Sequence, residues 1–193
     1  MKALEEKIRK DGRVLEGNIL KVDSFLNHQI DVPFMDEVGA ELYRLFGDCG
    51  ITKIVTIEVS GIGVACMAAR HFNVPVLYAK KSRGANLSKD TYSVKVQSFT
   101  HGGIFYDVAV AKEYLSADDT VLIIDDFLAN GNALLGLKEL VEQSGATVVG
   151  AGIVIEKAYQ DGGKKLRENG MRVESLARIE SMDPVNGVIF CKE

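Results

Sequence analysis

The chain has 193 residues and a mass of 21.0 kDa, a length suited to one domain of ordinary size. With 47% hydrophobic and 26% charged residues it lies in the globular range, which excludes disorder as its main state. The net charge of −4, from 23 basic and 27 acidic residues, excludes a broad basic face for duplex nucleic acid, so an anionic ligand must be held locally.

Three cysteines, Cys49, Cys66 and Cys191, lie far apart without CxxC spacing. They suggest neither a disulfide framework nor a zinc site and fit a reducing cytoplasm. The first residues, MKALEEKIRK, alternate charge where a leader would need an apolar core, and the apolar run Thr147 to Ile155 is too short to span a bilayer. A soluble, cytoplasmic, unprocessed chain with no membrane partner is expected.

In chain order, apolar residues at helical spacing predict amphipathic helices over Ala3 to Ile8 and, after Pro33, over Phe34 to Phe46, stopping at Gly47. The runs KIVTIE (Lys53 to Glu58), VPVLYA (Val74 to Ala79), TVLIID (Thr120 to Asp125) and TVVGAGIVIE (Thr147 to Glu156) are β-branched and apolar on both faces, as interior strands of a parallel sheet are. Helices are expected between them at Ile62 to Phe72 and Asn132 to Ser144, the second stopped by Gly145. TYSVKVQSFT and GIFYDVAVAKEYL alternate like an antiparallel ribbon appended to this core, and MRVESLARIE with GVIFCKE adds one or two short edge strands turning at Asn186-Gly187. The result is an α/β fold, a central mainly parallel sheet flanked by helices, with residues 1–193 forming one domain.

Open parallel sheets bind ligands beyond the carboxyl ends of their strands, which directs attention to the loops after Glu58, Ala79, Asp125 and Glu156. The most distinctive is TVLIIDDFLANGNALLG: an apolar strand runs into Asp125-Asp126, then the small-residue turn Ala129-Asn130-Gly131-Asn132-Ala133, then a helix. Small residues leave backbone N–H groups open to a phosphate at a helix start, and two carboxylates can meet sugar hydroxyls or a hydrated Mg²⁺. That combination suits a phosphorylated sugar; the competing reading is an ordinary strand–turn–helix with a solvated acidic turn. Gly131 and Gly136 have P-loop spacing, but Leu137-Lys138 follow where Lys-Ser/Thr should, and Gly61-Ile62-Gly63 lacks the third glycine of a dinucleotide fingerprint because Cys66 stands there. His28, His71 and His101 have no metal-ligand spacing, and no Ser or Cys has a base nearby in sequence.

The apolar run, acid pair and small-residue turn resemble the type I phosphoribosyltransferases, with Asn130, Asn132 and Ala133 standing where the common pattern has Thr, Gly and Thr. LKVDSFLNHQID (Leu20 to Asp31), IVTIE followed by SGI, LIIDDFLANG and GIVIEK, in that order, are similar to the bacterial xanthine phosphoribosyltransferases, over about residues 3 to 180. The resemblance implies a type I fold with a flexible hairpin lid at about residues 80–100 and a small hood from about residues 1–31 and the C-terminal part. It implies transfer of the 5-phosphoribosyl group of phosphoribosyl pyrophosphate (PRPP) to xanthine, giving xanthosine 5′-monophosphate and pyrophosphate in purine salvage. Mg²⁺ would accompany PRPP near Asp125 and Asp126, and relatives are homodimers.

Residue by residue, the resemblance puts Asp125 and Asp126 against the ribose hydroxyls and metal, Ala129, Asn130, Gly131, Asn132 and Ala133 around the 5-phosphate, and Glu58, Ser60 and Gly61 against the pyrophosphate. Lys80 and Lys81 begin a basic stretch, with Arg83 and Lys89 against Asp90 and with Gly84 permitting motion. This stretch reads as a lid, Lys80 binding PRPP and Lys81 acting at the leaving group, or else as a solvated surface hairpin. Leu20, Asn27 and Lys157 would line the purine pocket, Lys157 offering an ammonium to an exocyclic oxygen where adenine has an amino donor. Taken singly, Leu20 reads equally as core, Asn27 as a turn residue, Lys157 as a solvated strand end, and Phe127 as either core or a stacking ring. The alternatives are a phosphoribosyltransferase for guanine, hypoxanthine or adenine, and a regulator that binds PRPP without catalysis; the second is disfavoured because no basic recognition helix is present.

Overall fold

Strands that are apolar on both faces can be stable only between two apolar layers, and that requirement organises the molecule. The computed structural model describes residues 1–82, 90–97 and 105–192. In chain order, α1 (Lys2–Asp11) leads to the hairpin β1 (Arg13–Leu15) and β2 (Ile19–Lys21), a π-type turn at Asp23–Asn27, α2 (Val32–Phe46), β3 (Lys53–Ile57), α3 (Gly61–Phe72) and β4 (Val76–Ser82). Then come β5 (Thr91–Gln97), β6 (Phe105–Ala111), β7 (Thr120–Leu128), α4 (Asn132–Glu142), β8 (Thr147–Lys157), α5 (Gly162–Glu168), β9 (Val173–Asp183) and β10 (Gly187–Phe190).

Eight strands form one sheet in the order β10-β9-β8-β7-β3-β4-β6-β5. The interior strands β9, β8, β7, β3 and β4 are parallel, and β10 and the β6/β5 pair extend the two ends antiparallel. Along β7, Leu122 and Ile124 join the layer built by α1, α2 and α3, while Val121 and Ile123 join the layer built by α4, β5 and β6. Successive strand residues point to opposite faces, so one run feeds both cores. Helix α2 starts where Asp31 accepts a hydrogen bond from the Phe34 amide at 3.3 Å, with Pro33 in the first turn.

Two elements differ from their sequence-based expectation. The ribbon is an extension of the main sheet: β4 runs on past Ala79, and Lys80, Lys81 and Ser82 pair with Ala109, Val108 and Asp107 of β6. Its inward Val94 and Val96 close over α4, so that a Cβ on Gly136 would lie 2.4 Å from Val96; the second glycine of the apparent P-loop spacing permits this close approach. The strand expected as a short edge is also longer: β9 spans 11 residues between β8 and β10. Of the basic segment, Arg83, Gly84 and Lys89 lie outside the described residues, as does His101. Among the described residues no helix is long and apolar enough to cross a membrane.

The two helices of one layer, α2 and α3, meet backbone to backbone at Gly39, where an added Cβ would lie 2.8 Å from the Met67 carbonyl. Gly39→Ala is therefore expected to lose about 1–3 kcal/mol of stability through overpacking, read as a lower urea midpoint at unchanged m-value.

Candidate active site

Chain order reverses direction in the sheet between β3 and β7: β4 follows β3 to one side, whereas β7, β8 and β9 step away on the other. Helices α3 and α4 leave these two strands toward opposite faces, and the turns after them open a crevice at the strands' carboxyl ends. The turn after β3 holds Glu58, Ser60 and Gly61; the end of β7 holds Asp125 and Asp126, and its turn holds Ala129, Asn130 and Gly131.

Asp125 is 6% exposed, and its Oδ1 accepts the Asp126 amide at 3.0 Å. Burial raises its carboxyl well above the ordinary range, with the neighbouring Asp126 charge adding to the rise and the more distant Lys81 opposing it. Asp126 is also raised by burial, against hydrogen bonds from Asp125, from the backbone and from the Asn27 side chain. Gly61 closes the far wall: a Cβ there would lie 2.2 Å from Thr56 Oγ1 and 2.9 Å from Asp125 Oδ1. Thr56 is fully buried, and its hydroxyl has no hydrogen-bond partner among the described residues.

These oxygens suit a hard cation. No group of three acidic, His or Cys side chains converges among the described residues. A Mg²⁺ ion would thus bind through one or two carboxylates and complete its shell with substrate oxygens and water, as is usual for this ion.

The turn after β7 is a tight small-residue turn that opens onto a helix start. Gly131 adopts φ +84°, a left-handed conformation that a Cβ would strain, and α4 begins at the next residue. Asn130 Oδ1 accepts the Asn132 amide at 3.0 Å, and the Asn132 side chain donates to the Gln97 carbonyl at 3.4 Å. Ala133 joins Asp125, Phe127 and this turn around a cavity of about 240 Å³. Tyr106 closes the cavity, its hydroxyl pKa raised by burial and by Asp125.

The other expected residues divide. Lys81 is brought to the site: its amide donates to Glu58 Oε1 at 2.6 Å, and its ammonium lies 5.4 Å from the Tyr106 ring centroid. Lys80 is not. Strand alternation sends it to the other face of β4, beside Tyr78, where it lines a groove of about 710 Å³. Larger than the cavity at the turn after β7, that groove has Lys53 and Asp119 already paired at 2.8 Å.

Lys157 is half-buried at the end of β8 and donates to the Asn18 carbonyl at 2.9 Å, which ties the β1/β2 hairpin over the strand ends; burial lowers its pKa. Leu20, on β2, is 7% exposed with its side chain in the apolar layer below, while Asn27 is exposed and reaches Asp126. Phe127 packs partly against the same layer while also lining the cavity.

Sequence reading missed Thr56, Tyr106, Asn18 and a buried cluster at Glu156. The Glu156 carboxylate is bound in a fork by Arg167 at 2.8 and 2.7 Å and approached by Arg178 at 3.3 Å. Partners so distant in sequence leave no local pattern; the Gly162-Gly163 pair was the one signal available.

The family described as "Phosphoribosyl transferase domain" matches residues 27–177. A Ruminiclostridium cellulolyticum protein named xanthine phosphoribosyltransferase is 57% identical over 183 residues, 95% of this chain and 96% of that protein. A Lachnoclostridium phytofermentans protein of the same name is 54% identical over 98% of this chain and 97% of its own. Among solved structures, the adenine phosphoribosyltransferase of Giardia lamblia complexed with 9-deazaadenine is similar in fold, with a TM-score of 0.78 at 22% identity, covering 92% of this chain and 98% of that one.

The raised carboxyl gives a signed expectation. A carboxyl whose folded pKa lies above its unfolded one holds its proton longer in the folded chain, so stability falls as pH rises from the ordinary carboxylate range through the raised value. Asp125→Asn removes that cost: in chelator and without PRPP, its melting temperature at pH 7 is expected at or above that of the wild type, with a flatter decline from pH 4 to 7. A clearly lower value would mean that the folded chain stabilises the charged form.

Proposed function

The chain belongs to the phosphoribosyltransferase family, and from that membership we propose that it transfers the 5-phosphoribosyl group of PRPP to xanthine, releasing pyrophosphate and forming xanthosine 5′-monophosphate. The observation that carries the reading is the buried Asp125 with its partly buried neighbour Asp126 at the end of β7, shortly before a small-residue turn and helix start at the sheet's switch point. The names of the full-length relatives supply the base.

In this reading the 5-phosphate sits on backbone N–H groups from Ala129 to Ala133, and Asp125 and Asp126 accept from the ribose hydroxyls. The pyrophosphate lies between the Glu58–Gly61 turn, where α3 begins, and the Lys81 ammonium. The C1–oxygen bond breaks with its electron pair leaving on pyrophosphate, a ring nitrogen of the base forms the new bond to C1, and one base proton is released. Positive charge develops on the ribose ring, and the carboxylates beneath it stabilise that charge. Asp125 and Asp126 would hold a Mg²⁺ ion arriving with PRPP, which would supply positive charge toward the leaving pyrophosphate.

For the base, Lys157 donates to an exocyclic oxygen, Asn27 offers an amide that can donate or accept, and Phe127 supplies a ring face. Lys157 would exchange its bond to the Asn18 carbonyl for one to the substrate. Residues 1–193 act as one domain, with a hood near residues 1–31 and the C-terminal part; residues 83–89 and 98–100 of the expected lid lie outside the described residues. Three free cysteines fit a cytoplasmic setting. A homodimer is the proposed working state, supported by the exposed Tyr78, Phe105 and Tyr114 and testable by sedimentation equilibrium.

With PRPP and Mg²⁺, xanthine is expected to give the highest kcat/KM in a panel with guanine, hypoxanthine and adenine, measured by nucleotide formation. Turnover of adenine alone would overturn the role of Lys157, and PRPP binding without turnover of any base would favour a regulator. The double variant Asp125→Asn/Asp126→Asn is expected to lose turnover by at least about a hundredfold while keeping its fold by circular dichroism; near-normal turnover would refute the sugar-binding role.

A further inference from the structure

We propose that the Glu156–Arg167 ion pair is a positioning device for the phosphate turn: it clamps α5 against the backbone of Ala129–Gly131 and so sets the affinity for PRPP without touching it. This rests on the functional reading above.

Helix α5 has seven residues, too few to persist alone. What holds it is Arg167, whose guanidinium binds both oxygens of Glu156 at 2.8 and 2.7 Å and whose Nε donates to the Val173 carbonyl at 3.1 Å, together with the buried Leu166. Glu156 is 1% exposed; burial raises its carboxyl, but the Arg167 and Ser175 hydrogen bonds and the Arg167 and Arg178 charges outweigh burial and keep it ionised. At the other end of α5, Gly162 lies flat on the phosphate turn. A Cβ there would stand 2.3 Å from the Ala129 carbonyl oxygen, 2.4 Å from the Asn130 carbonyl carbon and 2.6 Å from the Gly131 nitrogen. Leu166 reaches the same turn, with its Cδ1 3.2 Å from where a Gly131 Cβ would be.

A site built from backbone N–H groups depends on the backbone being held in place before the ligand arrives. Register adds a second link: Glu156 pairs across the sheet with Leu128, the residue before the turn. The next residue of β8 is Lys157, which faces the hairpin. One strand end therefore holds the phosphate side with residue 156 and the base side with residue 157, and the two effects separate in kinetics.

The test measures PRPP–Mg²⁺ affinity by calorimetry and the KM of each substrate in the full chain. Glu156→Gln keeps the side-chain volume and removes the charge; the Kd and KM for PRPP are expected to rise about tenfold while the KM for xanthine changes less than about twofold. Gly162→Ala leaves the ion pair intact but pushes on the Ala129 carbonyl, and is expected to weaken PRPP binding in the same selective way. Arg167→Lys, which keeps the charge but loses the two-pronged bond, is expected to fall between Glu156→Gln and the wild type. A Glu156→Gln protein that melts lower with unchanged PRPP affinity overturns the proposal, as does an equal loss toward both substrates. If Glu156→Gln does not fold, Gly162→Ala decides, and unchanged PRPP affinity there overturns the proposal. A wild type that binds no PRPP–Mg²⁺ overturns the functional reading as well, whereas wild-type binding with unaltered variants overturns this inference alone.

Discussion

Two carboxylates side by side in a desolvated crevice repel each other, and each is costly to ionise there. The rest of the site is arranged around that constraint. Asp125 is buried because β7 is the strand between β8 and β3, and Gly61 of the facing turn lies against it with no side chain between. Hydrogen bonds from the backbone and from the Asn27 side chain offset part of that cost at Asp126, and the Asp126 amide does so at Asp125.

Positive charge is distributed sparingly, in keeping with a net charge of −4. Lys81 lies near enough to Asp125 to favour its ionised form, Lys157 sits beneath the hairpin, and Arg167 is spent on a buried carboxylate. The turn itself, residues 129–133, contains no lysine. Backbone N–H groups at a helix start serve a phosphate well when they are rigid, and rigidity here comes from Gly131 in its left-handed conformation, the Asn130 side chain accepting the Asn132 amide, and helix α5 packed against the turn. The same economy appears at β8, where alternation along one strand turns Glu156 and Lys157 to different neighbours.

The sequence alone determined the parallel α/β layout, because long runs apolar on both faces have few other stable uses, and it determined the acid pair and small-residue turn, because their chemistry is local and contiguous. Only the tertiary structure decided that the ribbon continues the sheet, that Lys81 joins the site while Lys80 turns away, and that Leu20 is buried beneath the hairpin. It alone showed the Thr56 hydroxyl, without a partner among the described residues, and the Glu156–Arg167 pair. The physical reason is that a strand's register fixes which of two adjacent lysines faces the crevice, and an ion pair forms between side chains that packing brings together. Neither leaves a local pattern in the order of residues.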